Sequence, residues 1–280
     1  MKRVGFQWAK RGACQHPEIM TLRDGSICAA DYPAYVGIIR HPDQGIILFD
    51  TGYDPAFFAA TNPFPERFYR WATPVQIDQG ETAQQWLATL GIDLGDVNAL
   101  VLSHFHGDHV AGLTSFPNAT IYCSRAGLKQ IQSGNRFSRV RQGLLSMLVP
   151  PDIEKQAVFF EDLPPSRLPA AYGPFEAAVD VLGDGSLLAV ELPGHCLGHW
   201  GLALRNHNDS DILLIADAAW SIGAVTRNVP PPRLTTALLG HTQTYRATLA
   251  KLNATAEQNK ALTILPSHCP MAAKAFDENG

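Results

Sequence analysis

One short segment contains most of the residues in this chain that could do chemistry. Residues 103–109 read Ser-His-Phe-His-Gly-Asp-His, so three imidazoles and one carboxylate occupy six consecutive positions. The apolar run 99–102 precedes them and predicts a strand that ends where the histidines begin. Imidazole and carboxylate groups are ligands of divalent transition metals. We therefore interpret the segment as a metal site rather than a loop of solvated histidines.

Three further side chains of the same kind follow predicted strands elsewhere in the chain. They are His195 after residues 187–192, Asp217 after residues 212–216 and His268 after residues 262–266. Functional groups of layered α/β folds gather at the ends of strands. Each position alone has an ordinary structural explanation, but four strand ends that all carry His or Asp are not explained in this way. We expect these side chains to meet residues 103–109.

Short apolar runs bounded by turn residues recur along the chain and predict the strands that position these groups. They are residues 34–39, 46–49, 99–102, 120–123, 187–192, 201–204, 212–215 and 262–265, the first two forming a hairpin around residues 41–45. Helices are predicted over residues 81–90 and 125–133. Because strands alternate with helices, the fold class is predicted to be α/β.

A long amphipathic helix is predicted between Thr235 and Gln258, with Thr235 or Thr236 as its cap. Its apolar stripe consists of Leu238, Tyr245, Leu249, Leu252 and Ala256. Residues 62–77 and 149–174 do not fit the alternation, since they are rich in proline and aromatic residues. Such segments are lids or binding loops, or surface loops that pack their own aromatic side chains.

Composition limits the classes of protein that remain. With 280 residues, 46% of them hydrophobic and 17% charged, the chain has enough apolar residues for a large core. The net charge of −4 argues against a nucleic-acid partner. Five cysteines without a C-x-x-C pair argue against a zinc site of four thiolates and against a disulfide scaffold. We expect a cytoplasmic protein with no membrane partner, because no signal-like or membrane-spanning apolar segment is found; the oligomeric state stays open.

The order of these motifs resembles the metallo-β-lactamase superfamily. The resemblance rests on the His-x-His-x-Asp-His run, the Gly-His pair at 194–195, the later Asp217 and His268, and Ile-Ile-Leu-Phe-Asp-Thr-Gly at residues 46–52. It spans roughly residues 34–268. It implies an αββα sandwich of two mixed β-sheets flanked by helices, a single hydrolase domain over residues 1–280, and a dinuclear site at one edge.

The resemblance also implies which residues hold the two divalent metal ions. One ion is bound by His104, His106 and His195, and the second by Asp108, His109 and His268, with Asp217 bridging the two. Zn²⁺ suits these ligands, and Mn²⁺, Fe or Co²⁺ are also compatible with them. Asp50 is expected to orient a ligand histidine rather than to bind metal itself. Two ions about 3.5–4 Å apart hold a hydroxide that attacks the substrate, and Asp108 relays a proton to the leaving group.

Within the superfamily, two segments most resemble the N-acyl-homoserine-lactone lactonases, which quench quorum-sensing signals. These are Gly-His-Cys-Leu-Gly-His at 194–199 and Asp-Ala-Ala at 217–219. The small-molecule substrate is then an ester or lactone. One departure is Trp220, because those lactonases commonly place a tyrosine there whose hydroxyl contacts the substrate carbonyl. An indole N–H only donates a hydrogen bond. A thioesterase of the glyoxalase II type, a phosphodiesterase and a mono-iron sulfur dioxygenase therefore remain alternatives.

The remaining histidines and cysteines receive structural interpretations. We expect Cys196 and Cys269, which follow two of the ligand histidines, to be small buried hydrophobic residues. His199 is expected to support the site. The histidines without a convergent context, interpreted as surface or core residues, are His16, His41, His207 and His241.

Overall fold

The computed structural model describes the backbone of residues 1–279 and the side chains of residues 1–277. In this part of the chain there are thirteen strands. They are β1 (Arg3–Pro17), β2 (Ala29–His41), β3 (Gly45–Phe49), β4 (Val75–Gln76), β5 (Val97–Val101), β6 (Thr120–Cys123), β7 (Ala157–Phe159), β8 (Pro165–Arg167), β9 (Ala177–Asp180), β10 (Leu187–Glu191), β11 (Trp200–Asn206), β12 (Asp211–Ala216) and β13 (Thr263–Pro266).

Ten α-helices accompany these strands over the same residues. They are α1 (Pro55–Ala60), α2 (Arg67–Ala72), α3 (Ala83–Thr89), α4 (Gly107–Val110), α5 (Arg125–Gln132), α6 (Arg136–Arg141), α7 (Ile222–Arg227), α8 (Arg233–Leu239), α9 (Thr242–Gln258) and α10 (Pro270–Asn279). No helix within residues 1–279 is long and apolar enough to cross a membrane.

The strands form two mixed sheets. In the first, the order is β7-β6-β5-β3-β2-β1, and β4 pairs with the far part of β1. In the second, the order is β8-β9-β10-β11-β12-β13. The two sheets are joined at one corner, where Arg3 and Val4 of β1 run parallel to Arg205 and Asn206 of β11.

Alternation of side chains along the strands produces three apolar layers. A central layer lies between the sheets and takes every second residue of each, such as Ile47 and Phe49 of β3 and Leu202 and Leu204 of β11. The intervening residues pack under helices. Those of the first sheet meet α1, α3 and α5, and those of the second sheet meet α7 and α9. The predicted α/β fold with helices on both outer faces is confirmed.

The predicted strands and the hairpin around residues 41–45 are all present, with ends shifted by up to five residues. The sequence analysis did not predict β1, the fifteen-residue strand that pairs with β2 along most of its length. The segment 62–77, expected to be irregular, contains α2 and β4. Its aromatic side chains Phe64, Phe68 and Trp71 are 47–63% exposed, with Phe68 in edge-to-face contact with each of the other two, whereas Tyr69 packs against Phe57.

The single long helix predicted over residues 235–258 is wrong, because the chain breaks it into α8 and α9 at Gly240. The amide of His241 donates to the carbonyl of Gly194 at 2.9 Å. A Cβ at position 240 would lie 2.2 Å from that oxygen and 2.3 Å from the carbonyl oxygen of His195. The glycine therefore allows the chain to pass directly against the loop that carries His195. His241, not Thr235 or Thr236, caps α9.

Candidate metal centre

The ends of four strands converge at one edge of the two sheets. Residues 104–109 follow β5, His195 follows β10, Asp217 follows β12 and His268 follows β13. Asp108 and His109 lie on the single turn of α4. All seven predicted ligand side chains are brought together and are 1–7% exposed. We call them the seven-residue cluster: His104, His106, Asp108, His109, His195, Asp217 and His268.

Asp217 stands between two groups of side chains. Its Oδ2 lies 3.3 Å from Nε2 of His195 and 4.0 Å from Nε2 of His104. Its Oδ1 lies 3.4 Å from Nε2 of His109, and Nε2 of His268 is nearly equidistant from the two oxygens, at 3.2 Å from Oδ1 and 3.3 Å from Oδ2. Oδ2 thus faces His195 and His104, Oδ1 faces His109, and His268 contacts both oxygens. A carboxylate that contacts both groups in this way is placed to be shared between two cations.

The first group is composed of His104, His106 and His195. Nδ1 of His106 and Nε2 of His195 approach to 3.0 Å. Burial lowers the pKa of all three imidazoles, so they are neutral at pH 7 and offer lone pairs. Three neutral imidazoles gathered in this way can bind one divalent ion.

The second group is composed of Asp108, His109 and His268. Oδ2 of Asp108 lies 3.3 Å from Nε2 of His109 and 3.2 Å from Nε2 of His268. Nδ1 of His268 donates to the carbonyl oxygen of Pro33 at 2.8 Å, and Nδ1 of His109 donates to Asp50 at 2.7 Å. In the neutral rings both Nε2 atoms therefore carry lone pairs that point at carboxylate oxygens.

These donor sets fit divalent metal ions. The buried atoms without a hydrogen-bond partner include Nε2 of His104, Nε2 of His109 and Oδ1 of Asp217. Buried polar atoms are normally satisfied, so an unsatisfied set at one place requires an explanation. Burial opposes the charged form of His268, yet the carboxylates of Asp217 and Asp108 raise its pKa to about 10. The site is thus built to hold positive charge, which a metal cation supplies.

A turn after β3 supports this arrangement. The carboxylate of Asp50 accepts from the amide and the hydroxyl of Ser103, both at 2.8 Å, as well as from His109. Thr51 donates from its amide and its hydroxyl to the carbonyl oxygen of His109, both at 2.9 Å. Asp50 itself has a φ of 61°, in the left-handed region, which is uncommon for non-glycine residues although Asp and Asn adopt it more often than most. This conformation is consistent with a turn shaped to hold His109.

Three further residues near the seven-residue cluster, which are not predicted metal ligands, are His199, Cys196 and Cys269. His199 accepts from the amide of Asp217 through Nε2 at 3.1 Å, as expected of a supporting residue. Cys196 and Cys269 are buried. Sγ of Cys196 lies within 4.8 Å of imidazole nitrogens of the first group. Burial raises the pKa of the Cys196 thiol, which keeps it in the neutral form in these surroundings.

A cavity of about 670 Å³ opens over the cluster. Its floor includes His106, Asp108, Asp217 and His268, and its walls are largely apolar. The wall residues that the sequence analysis did not place there include His16, Met20, Tyr32, Leu234 and Leu238. They come from β1, β2, α8 and the loop after β1. No local motif marks them, because the cavity exists only where these distant segments meet.

Trp220 lies in the wall of this cavity. The centroid of its indole is 5.8 Å from that of His195 and 5.9 Å from that of His268. Its Nε1 is buried and has no hydrogen-bond partner. His16, which we expected to be a surface or core residue, lies 5.4 Å from this indole and also lines the cavity.

The fold and the buried His/Asp cluster define the class of the protein as a metal-dependent hydrolase. The sequence profile described as "Metallo-beta-lactamase superfamily" matches residues 30–268. The chain belongs to that superfamily.

Relatives with similar sequences include proteins named as lactonases. The chain is 28% identical over 255 residues to "N-acyl homoserine lactonase AttM" of Agrobacterium fabrum (strain C58 / ATCC 33970), a match that covers 88% of this chain and 86% of that protein. A protein of the same name from Rhizobium radiobacter is 28% identical over 200 residues, which cover 71% of this chain and 68% of the relative.

A solved structure shares the fold over nearly the whole chain. It is an N-acyl homoserine lactone hydrolase with the product N-hexanoyl-L-homoserine bound at its catalytic metal center. The TM-score is 0.75 at 17% identity, with 98% of this chain and 97% of that chain covered. This likeness confirms the architecture expected from the sequence.

Proposed function

We propose that this protein is a dinuclear metal-dependent lactonase that opens the ring of N-acyl homoserine lactones, with residues 1–280 acting as one hydrolase domain in the cytoplasm. The observation that carries the proposal is the position of Asp217, whose carboxylate contacts imidazoles of both groups. The names of the AttM relatives support the choice of substrate.

The ligands are assigned from the two groups of the cluster. His104, His106 and His195 would hold one ion; Asp108, His109 and His268 would hold the other, and Asp217 would touch both. When bound, two divalent ions supply Lewis acidity for the ester carbonyl and lower the pKa of water at the site. We propose Zn²⁺ as the metal bound at both positions, since imidazole and carboxylate ligands suit it.

Two side chains of the protein contribute to the proposed reaction: Asp108 transfers a proton, and Trp220 donates a hydrogen bond. Asp108 lines the cavity, and its Oδ2 lies 3.3 Å from Nε2 of His109 and 3.2 Å from Nε2 of His268. Burial opposes the charged form of Asp108, but the neighbouring His109 and His268 hold the pKa of its carboxyl group below the usual value, so it is ionised. We assign this carboxylate the uptake of a proton from the attacking water and its transfer to the alcohol oxygen that leaves when the lactone opens. The unpartnered indole N–H of Trp220 is assigned as a hydrogen-bond donor to an oxygen of the substrate.

The cavity walls suit a substrate with an apolar chain. Met20, Leu234, Leu238 and Phe68 line it together with the aromatic residues described above. A cavity of about 670 Å³ lies within the range of small-molecule sites. An acyl chain would bury these side chains, which are 38–80% exposed without a substrate. This apolar wall favours an acylated lactone over a polar phosphodiester.

Metal analysis combined with a substrate panel tests the proposal. We expect close to two transition-metal ions per chain after gentle dialysis. The metal-loaded enzyme is then assayed with acyl-homoserine lactones, simple lactones, S-lactoylglutathione, a bis-aryl phosphodiester and a chromogenic cephalosporin. The highest kcat/KM is expected for an acyl-homoserine lactone. A stable single iron would support the dioxygenase instead, and a higher kcat/KM for the thioester or the phosphodiester would contradict the lactonase.

A further inference from the structure

His16 has a fixed tautomer. It lies near the end of β1, and its ring stacks on Tyr32 with centroids 3.8 Å apart and planes inclined by 15°. Nδ1 is 3.2 Å from the carbonyl oxygen of Pro17. Because a carbonyl oxygen only accepts, Nδ1 must carry the proton. The other nitrogen, Nε2, is then a hydrogen-bond acceptor.

That acceptor has no partner in the described part of the chain, where Nδ1 makes the one hydrogen bond of this ring. His16 is 6% exposed and lines the cavity beside Trp220. Burial lowers the pKa of His16 to about 4, so the ring stays neutral and Nε2 stays an acceptor at pH 7. A group that binds here gains most if it offers a hydrogen-bond donor.

We propose that Nε2 of His16 accepts the amide N–H of an acylamino lactone and so makes the enzyme selective for lactones that carry this group. The inference rests on the proposed function and goes beyond it in naming the residue that recognises the amide. A lactone ring and an acyl chain offer no hydrogen-bond donor, whereas the amide between them offers one. A secondary amide also has a carbonyl oxygen, for which the unpartnered N–H of Trp220 is the matching donor.

The selectivity has a physical cause. A substrate without the N–H would cover Nε2 of His16 and leave it without either water or a partner. A site built to hydrogen-bond a substrate group discriminates strongly against the analogue that lacks the group, because the buried polar atom is then left unpaired. The apolar walls cannot supply such discrimination, since they contact an acyl chain equally well in both compounds.

The test compares two lactones with the metal-loaded enzyme: N-octanoyl-homoserine lactone and the analogue in which CH₂ replaces the amide NH. For the wild type we expect kcat/KM to favour the amide by about tenfold to a hundredfold. His16→Phe keeps a ring on Tyr32 but has no acceptor, and the ratio should fall to about one. His16→Gln carries an acceptor oxygen and should retain part of the preference. Ile19→Ala, an apolar change in the same cavity, should keep the wild-type ratio.

Metal content and melting temperature are recorded for each variant, so that a folding defect is recognised. If His16→Phe does not fold, the wild-type ratio can still overturn the inference, and His16→Gln then tests the residue. Equal kcat/KM for the two lactones in the wild type overturns the inference and leaves the lactonase intact. A preference that survives in a folded His16→Phe protein overturns it as well. If the wild type opens neither lactone, the proposed function is wrong and the role of His16 falls with it.

Discussion

Asp50 accepts a hydrogen bond from Nδ1 of His109 at 2.7 Å, and this contact determines which ring nitrogen faces Asp108 and Asp217. The same carboxylate also holds Ser103, the residue before His104. One side chain that is remote in sequence thus orients both ends of the histidine segment. Its position matches the expectation that Asp50 orients a histidine.

Replacing Asp50 with asparagine tests this orientation. Asp50→Asn keeps the shape of the side chain but removes its charge and can present an N–H to His109. We expect metal affinity to fall by about tenfold to a hundredfold, as for other residues that position metal ligands. Competition with a chelator measures the affinity. Asp54→Asn is the control, because asparagine caps α1 as well as aspartate does. Equal affinities for Asp50→Asn and the wild type would contradict this role.

Removing the shared carboxylate tests the two-ion arrangement. Asp217→Asn should retain the fold, bind fewer than two ions per chain and lose at least about a hundredfold in kcat/KM, since the loss of a metal ligand removes several kcal/mol of transition-state stabilisation. Metal analysis, circular dichroism and kinetics measure these effects. Asp43→Asn is a matched control, because Asp43 lies in another His/Asp group that is already paired with Lys2. Undiminished turnover by Asp217→Asn would refute the dinuclear proposal.

Replacing Trp220 with phenylalanine removes the indole N–H but keeps an aromatic ring at this position. Trp220→Phe should lower kcat/KM on the best substrate by about tenfold, because one hydrogen bond to a substrate oxygen is lost. Steady-state kinetics measure the change. Trp71→Phe alters a tryptophan that is 63% exposed and should leave kcat/KM within about twofold of the wild-type value. Unchanged kinetics in both Trp220→Phe and Trp220→Ala would remove Trp220 from the substrate site.

Gly240 should be sensitive to a single added methyl group. Gly240→Ala places a Cβ 2.2 Å from the carbonyl oxygen of Gly194. The chain must shift, and we expect unfolding free energy to fall by about 1–3 kcal/mol, with weaker metal binding because His195 follows Gly194. Denaturant titration and metal analysis measure the two effects. Gly95→Ala has nothing within 4 Å of its new Cβ and serves as the control. Equal stability of the two variants would show that the contact is not tight.

Thiol reactivity separates the exposed cysteine from the buried ones. Of the five cysteines, Cys28 is exposed. Burial raises the pKa of Cys14 and of Cys123 to about 12. We expect one thiol per native chain to react rapidly with a chromogenic disulfide reagent at pH 8, and five to react in denaturant. Cys28→Ser should abolish the fast reaction. A rapidly reacting thiol in the native Cys28→Ser protein would contradict the burial of the other four.

The sequence by itself identified the superfamily, the fold class and the residues of the cluster, because these depend on local order. The His and Asp residues that can bind metal follow directly after short apolar runs in the sequence. The hydrophobic pattern and the turn residues determine where the strands end. The structure brings all seven side chains to one place; their role as metal ligands stays a prediction. The membership in the metallo-β-lactamase superfamily and the expected α/β fold are confirmed.

Only the tertiary structure decided the features that depend on contacts between distant segments. The break at Gly240 follows from the approach to Gly194, forty-six residues earlier, which no helical pattern contains. His16 belongs to the cavity because β1 pairs with β2 and brings it against Tyr32 and Trp220. Periodicity describes which face of an element is apolar, whereas such contacts depend on how whole elements pack, and that packing determined where this protein has its cavity.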